Sequence, residues 1–385
     1  MRVLYVQYAN PGAYPPLEQS SRILAEHGWD VMVLGVVTRG TEALRFASNS
    51  KIEIRLMAYC PPGWRQKAHY ALFGLWSLLK ALLWRSQWIY ASDPFSCPIA
   101  LLLSFLPGAH VVYHEHDNPG SETGTSRFIQ FVLWTRQKVA RRATFCVLPN
   151  RERAKEFRLS TNTSQFIHCV WNCPARADAA GQLVLSTDRR EFILFYHGSI
   201  VPARVPLTVL NALSMLPGNV RFQVAGYETI GHLGYVAILK AEAQRLGIQK
   251  RFEYLGAFPR KDLLPLCRNA DVGLSLMPTT TSDLNEQAMT GASNKPFDYL
   301  ACGVPLLVSD LPDWKELFVE PGYALACDPA DPYSIAQALS WFVEHPGQTR
   351  QMGDQGRRRI LNEWNYESQF QKVLERMTPD TSPRT

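Results

Sequence analysis

The chain has 385 residues, enough for two domains that each bury a sizeable core, and its hydrophobic fraction of 46% supports a globular protein. Its 40 Lys+Arg against 34 Asp+Glu leave a formal charge of +6, which suits an anionic substrate or an acidic membrane surface and lacks the dense basic signature of a nucleic-acid binder. The 8 cysteines form no CxxC pair and no disulfide-like rhythm, so a reducing compartment, the cytoplasm, is the expected location.

The first run, "MRVLYVQYANPG", has one arginine and stops at Asn10-Pro11-Gly12. It lacks a long apolar region and a small-residue cleavage site, so it reads as a first strand rather than a signal peptide. "DVMVLGV", "KIEIRLM", "QWIYAS", "HVVYHEH", "TFCVLP" and "QFIHCV" follow as strands, and several intervening segments are long enough for crossover helices. That order predicts a parallel, doubly wound sheet. The most apolar stretch, "AHYALFGLWSLLKALLWRSQWIY", is broken by Lys80 and Arg85 and reads as an amphipathic helix too interrupted to span a bilayer. Leu72, Leu75, Trp76, Leu79, Leu82 and Leu83 follow helical spacing. The simpler reading turns them toward the core; the other lays the helix on a lipid surface with Trp64, Arg65, Lys67 and Trp84. His168, Cys169 and Cys173 cluster without a proper second ligand pair, so they are expected to be buried or incidental, not a metal site.

Small, polar and charged residues place a linker near 175–188, after which "FILFYHG", "VRFQVAG", "RFEYLG", "DVGLSLM" and "VPLLVSD" repeat the strand grammar, with helices at 206–216 and 233–246 among the segments between them. The expected organisation is an α/β fold of two Rossmann-like, doubly wound domains, 1–180 and 181–360. A helix and a polar, disordered tail complete 361–385, the helix able to pack back on the N-terminal domain. Ligands of open α/β sheets sit beyond the carboxyl ends of the strands, so two such domains facing each other would form a cleft. No GxGxxG follows a strand and no Walker loop occurs, which weighs against dinucleotide oxidoreductases and P-loop NTPases.

Several strand ends carry candidate chemistry. In "FYHGSIVPARVPL", Gly198 permits close backbone approach and Arg204 beside a helix start suits a phosphate, unless the pair is only a turn and a solvated arginine. Gly226 and Gly256 end the next two strands, and together they place small residues at successive strand mouths, as a bound nucleotide needs. In "SNKPFDYLACGVPLLVSD", Ser293 or Asn294 can cap a helix whose first turn holds Pro296. Lys295 would stand at the positive end of that helix and hold an anion, and Asp298 could accept bonds from vicinal sugar hydroxyls.

In this order, "FYHGSI...R", "FQVAGYE", "YLGAFPRKDLLPLCRNADVGLSLMP" and "SNKPFDYLACGVPLLVSDLPDWKELF" resemble the donor domain of GT-B glycosyltransferases, specifically the retaining group called family 4, or group 1. The resemblance covers nearly all of the C-terminal half, and the N-terminal half is compatible with the matching acceptor domain. It implies that Arg204 and Lys295 bind the donor diphosphate, beside the small residues Gly198 and Gly226. It also puts Asp298 in place of the glutamate that grips the nucleotide ribose. Thr290 stands where the other glutamate of an E-x7-E motif is usual, so the sugar contact falls to another group, for which the loop "TTTSDLNEQAMTGA" is the candidate.

"VVYHEHDNPG" resembles the family's strand that ends in a histidine followed by an acid, matched here by His116 and Asp117 as the catalytic candidates. His116 would face the transferred sugar or the acceptor hydroxyl. The other readings are a satisfied structural histidine, or a metal site among His114, Glu115, His116 and Asp117, although alternate side chains on a strand point to opposite faces. "NPGAYPP" matches the loop near the donor phosphate, with Gly12 its candidate.

The implied reaction is glycosyl transfer from a nucleotide-sugar co-substrate to an acceptor hydroxyl, with retention and with neither metal nor other cofactor. The acceptor would be a glycan or a lipid-linked group in cell-surface polysaccharide or glycolipid synthesis, the chain lying peripherally on the inner face of an anionic membrane. No nucleic acid is expected as a partner. Two other classes stay open: a nucleotide-sugar epimerase using Glu115, Asp117 and Glu286, and a non-catalytic nucleotide-sugar or glycan-binding subunit, suggested by Thr290.

Overall fold

A computed structural model describes residues 1–119, 126–181 and 191–378. The chain divides into two compact units, the first built from Met1–Asn172, Asp283–Ala292 and the segment from Tyr366 onward, the second from Cys173–Ser282 and Ser293–Asn365.

In the first unit the order is β1 (Arg2–Val6), α1 (Pro15–Glu26), β2 (Asp30–Val36), β3 (Ile52–Met57), α2 (Trp64–Trp84), β4 (Trp88–Ser92), α3 (Cys97–Leu103), β5 (His110–His114), α4 (Arg127–Arg142), β6 (Phe145–Leu148), α5 (Arg151–Thr161) and β7 (Ile167–Cys169). The strands form one parallel sheet in the order β3-β2-β1-β4-β5-β6-β7. Its central strands are buried along nearly their whole length, which is why they read as continuous apolar runs rather than alternating ones. One face packs on Leu17, Ile23 and Leu24 of α1 together with Tyr366, Phe370 and Leu374 of the C-terminal helix; the other packs on Phe73, Ile99, Leu103, Val139 and Ala140 of α2, α3 and α4.

The second unit runs α6 (Arg176–Ala180), β8 (Phe192–Ile200), α7 (Leu207–Met215), β9 (Val220–Glu228), α8 (Tyr235–Arg245), β10 (Phe252–Gly256), α9 (Arg260–Arg268) and β11 (Val272–Ser275). After the one-turn α10 (Leu284–Gln287), which belongs to the first unit, come α11 (Lys295–Ala301), β12 (Leu306–Ser309), α12 (Pro312–Trp314), β13 (Ala324–Cys327), α13 (Pro332–Glu344) and α14 (Pro346–Asn362). Helix α15 (Tyr366–Met377) returns to the first unit, where Glu367 pairs with Arg22 of α1 at 2.7 Å. The second sheet is also parallel, ordered β10-β9-β8-β11-β12-β13. Both sheets therefore show the two Rossmann-like, α/β patterns expected from the strand grammar.

Two expectations change. The core-facing reading of α2 is overturned for its leucines: Tyr70, Phe73, Ser77 and Ala81 form its buried stripe, Trp76 packs half-buried against the core, and Leu72, Leu75, Leu79, Leu82 and Leu83 are exposed. Both stripes are spaced three to four residues apart, so periodicity alone did not say which one packs. The stretch read as linker begins with a helix, α6, and Arg357 donates to the carbonyls of Ala179 and Gly181. The rest of that linker, 182–188, and the tail 379–385 lie outside the described residues. Among the described residues, no helix is long and apolar enough to cross a membrane.

Candidate functional site

The carboxyl ends of β8 and β9 run side by side, with Gly198 opposite Gly226. A Cβ at Gly226 would stand 1.8 Å from the carbonyl oxygen of Gly198, and a Cβ at Gly198 would stand 2.7 Å from Cε of Lys295. Gly198 also has φ +114°, which side chains rarely adopt. Close approach thus requires both glycines, and the group lying on Gly198 is the stem of Lys295. Lys295 is mostly buried and its Nζ sits 5.8 Å from the ring centroid of Tyr196. On the same strand end, Arg204 Nη1 donates to Ser199 Oγ at 2.6 Å. Two cations therefore stand beside bare backbone at the carboxyl ends of central strands, the place where open α/β sheets take ligands. Gly256 ends β10 at φ +88° with open space around it, a turn without a close neighbour.

Helix α11 begins at Lys295, with Pro296 in its first turn, as the sequence suggests. Asn294 occupies the cap position, yet its side-chain amide donates to Asp298 Oδ2 at 2.9 Å and caps nothing. Asp298 has no exposed surface. Its Oδ1 accepts from Arg260 Nη2 at 2.7 Å, and Arg260 also pairs with Asp178 of α6 at 2.8 Å. Any ligand contact by this carboxylate would require Asn294 or Arg260 to give way. His197, buried beside it, donates its backbone N–H to Tyr299 Oη, and its Nε2 lies 3.7 Å from Asp298 Oδ2 without a hydrogen-bond partner. Burial, then Lys295 and Arg260, push the His197 imidazole well below its ordinary pKa, so it is neutral.

In the first unit, β4 and β5 end next to each other and bring His116 to Ser92, with Nε2 3.1 Å from Ser92 Oγ. Nδ1 of His116 is buried without a partner, and its ring lies 4.0 Å from that of His114 and 5.5 Å from that of Tyr14. Burial lowers its pKa to about 4, the nearby Asp117 working weakly in the opposite direction. The Asp117 side chain is 74% exposed and pairs with Arg153 at 3.0 Å. Glu115 is committed elsewhere: Arg136 donates to it from Nε and Nη2, and Tyr113 Oη donates to it. Gly12 has a different neighbour from the expected ligand, since a Cβ there would stand 2.4 Å from the carbonyl oxygen of Leu44. Its missing side chain is accounted for by the chain's own loop. That loop and β3 border a groove of about 590 Å³ lined by Asn10, Gly12, Glu42, Arg45 and Asn49 among others, a size typical of small-molecule sites.

Three residues that sequence reasoning passed over shape this end of the sheet. Asp93, directly after β4, has φ +63° and ψ 166°, a conformation a side-chain-bearing residue rarely holds. Its Oδ1 accepts the His116 backbone N–H at 2.9 Å and its Oδ2 lies 3.3 Å from Gln7 Nε2. Burial raises its pKa to about 7, with the His116 N–H opposing. The only signal in the sequence was a carboxylate before a proline at a strand end. Arg153, at the start of α5, is buried and donates to the carbonyls of His116, Asn285 and Ala288, and Asn150 donates to those of Ala288 and Thr290. These two residues fix the 283–292 segment, including Thr290, onto the ends of β5 and β6. Among the described residues no three His, Cys, Asp or Glu side chains are grouped as metal ligands.

The pattern of the family described as glycosyl transferase 4-like domain matches residues 16–162, and that described as glycosyl transferase-like matches 207–375. A D-inositol 3-phosphate glycosyltransferase of Mycobacterium sp. (strain KMS) is 31% identical over 131 residues, 34% of this chain. The match spans only 27% of that relative's own length. The structure of Anabaena HepE in complex with UDP-glucose superposes with a TM-score of 0.72 at 16% identity, covering 97% of this chain and 98% of that one. Sucrose-phosphate synthase from Thermosynechococcus elongatus gives 0.71 at 14% identity, with 97% and 98% covered. Both unit folds and two family patterns that between them span most of the sequence agree: the chain carries a glycosyl transferase 4-like domain followed by a glycosyl transferase-like domain, and its fold is that of the GT-B glycosyltransferases.

Proposed function

We propose that this protein transfers a glycosyl group from a nucleoside-diphosphate sugar to an acceptor hydroxyl, with no metal ion. The observation that carries the reading is Lys295 lying on Gly198, with Gly226 and the Arg204–Ser199 pair beside it. As the glycosidic bond to the diphosphate breaks, negative charge grows on the leaving phosphate. Lys295 and Arg204 are preorganised to stabilise it, which is where catalytic electrostatics are most effective. Helix α11 has only seven residues, so the lysine charge outweighs the helix's own field. Asp298 acts from beneath, holding Arg260 and Asn294, and the ribose is reached through those groups.

In the retaining course that the family resemblance implies, the acceptor oxygen attacks on the face the diphosphate leaves, and the departing phosphate oxygen takes the acceptor proton. His116, neutral and held by Ser92 and Asp93, is the group we assign to the sugar or acceptor hydroxyl. The groove beside Gly12 has the size for an acceptor glycan or headgroup, which favours a cell-surface polysaccharide or glycolipid pathway. The epimerase alternative loses one of its acids, since Glu115 is locked to Arg136.

The test is a calorimetric screen of nucleoside diphosphates, uridine diphosphate first because HepE was solved with UDP-glucose. Transfer assays with the matching sugars follow. The reading fails if no diphosphate binds more tightly than its parent nucleoside. A new nucleotide sugar formed from donor alone would make the protein an epimerase instead.

A further inference from the structure

The outer surface of α2, α3 and α4 is apolar where a water-facing layer should be polar. On α2 the outward stripe is Trp64, Leu72, Leu75, Leu79 and Leu83, with Leu75 64% and Leu83 72% exposed. Helix α3, which packs against both neighbours, adds Leu102 and, just past its end, Phe105 at 64% exposed. Helix α4 adds Phe131 and Trp134, stacked on each other with ring centroids 6.2 Å apart. Single exposed leucines need no explanation, but nine large apolar side chains on three adjoining helices exceed that. Each of these helices is apolar on two faces, one into the sheet and one outward, a pattern that calls for a second apolar environment.

Charge says which environment. No Asp or Glu occurs in 54–92, in 94–114 or in 126–151, so the three helices carry no carboxylate at all. Exposed cations border the apolar patch: Arg65, Lys67 and Arg85 on and after α2, Arg127, Lys138, Arg141 and Arg142 on α4. Several cover its aromatic rings, Arg142 over Phe105 at 4.3 Å, Lys138 over Trp134 at 5.6 Å and Arg65 over Trp64 at 5.6 Å. Leucine, tryptophan and phenylalanine rimmed by Lys and Arg match the headgroup and upper acyl region of an anionic bilayer. A second copy of the chain fits poorly, because the two acid-free faces would set cation against cation.

We propose that the α2–α3–α4 surface of the first unit seats the protein on a membrane rich in anionic lipid. The proposal deepens the lipid-linked acceptor reading, and rests on it only for its biological sense. The test is flotation with vesicles of phosphatidylcholine alone and of phosphatidylcholine with 30% phosphatidylglycerol, at low and high salt, with no donor or acceptor present. Expected is binding to the anionic vesicles, weakened by salt, and little binding to the neutral ones. The Leu75→Glu/Leu79→Glu variant should lose at least tenfold in partitioning, and Lys138→Glu/Arg142→Glu should lose the anionic preference. All four positions are outside the sheet core, so melting temperature and diphosphate binding should stay at wild-type values, which separates a failed surface from a failed active site. Equal flotation of the wild type and the leucine variant would overturn the proposal. So would a wild type that stays in the aqueous fraction, or a stable dimer that the leucine variant dissociates.

Discussion

Lys295 crosses over Gly198 so closely that a Cβ there would stand 2.7 Å from Lys295 Cε and 3.2 Å from Nζ. The ammonium is thereby held at the mouth of β8, and removing either partner's geometry should register in phosphate affinity. Lys295→Ala and Arg204→Ala should each weaken nucleoside-diphosphate binding by about tenfold or more, a loss in the range of a charge-assisted hydrogen bond, and leave nucleoside binding within twofold. Gly198→Ala should act in the same direction by displacing the lysine. Calorimetry with the diphosphate and with the nucleoside decides it, and unchanged diphosphate affinity in the first two variants would remove them from the site.

Asp93 and His116 form the corresponding pair in the first unit. A residue held at φ +63° costs about 1–3 kcal/mol relative to relaxed backbone, and such strain persists where surrounding structure imposes it. Asp93→Asn keeps an oxygen for the His116 N–H but removes the titrating carboxyl. We expect turnover to fall about 100-fold with donor affinity kept, and His116→Ala to do the same. Asp117→Asn should have the smaller effect, because that carboxylate is largely exposed and its ion pair is to Arg153. Steady-state kinetics on the three variants rank the carboxylates; a larger loss at Asp117 would reverse the assignment.

The central strands were legible because a parallel sheet covered on both faces shows itself as unbroken apolar runs, and the more exposed β3, β9 and β10 through their β-branched and aromatic residues; of the thirteen strands among the described residues, one was missed. The missed one, β13, is the four-residue Ala324–Cys327 at a sheet edge, too short and too alanine-rich to stand out. Lys295, Gly198 and Arg204 could be singled out because their motifs are local; that Lys295 lies on Gly198 and Arg204 on Ser199 is what the fold adds. Asp298 was singled out as well, but its buried network with Arg260 and Asp178 joins residues far apart in sequence, so its inaccessibility could not be read. Gly12 was singled out for a ligand near its backbone, and the carbonyl that stands where its Cβ would be belongs to Leu44, a neighbour that arrives only through tertiary folding. Asp93 went unread because its strain arises only when β4 and β5 pair.

Arg153 offers a test of how the 283–292 segment is held. Its guanidinium is buried and reaches three carbonyls and one carboxylate, so Arg153→Met would leave those acceptors without their donor. The expected cost is about 3–5 kcal/mol, the range for removing one partner of a buried charged network. Protease cleavage within 283–292 should rise more than global unfolding does, because the segment then loses its one buried cationic donor and keeps the amide contacts of Asn118, Asn150 and Asn172. Cleavage confined to other loops would show that the segment is fixed elsewhere.

The buried histidines set a pH dependence whose sign can be worked out. His116 and His168 are lowered to about 4 from 6.5, chiefly by burial, and His114 and His197 are lowered well below that ordinary value. Below pH 6.5 the unfolded chain therefore binds protons that the folded chain refuses, so stability is full above about 6.5 and falls as the pH drops toward 4. Asp93 works in the opposite direction: its carboxyl is raised to about 7 from 3.8, so its share of stability is lost as the pH climbs through that range. Four histidines against one aspartate leave a net loss on acidification, each histidine contributing up to about 1.4 kcal/mol per pH unit. Urea unfolding should give a free energy at least about 2 kcal/mol lower at pH 5.0 than at pH 7.5, and His116→Gln should flatten the slope by the equivalent of one proton. His197 gives the reason to expect this at the candidate donor site itself: a charged imidazole there would be buried and would face Lys295 and Arg260, against the attraction of Asp298 at 3.7 Å, and a flat profile would mean that Asp298 outweighs them on protonation.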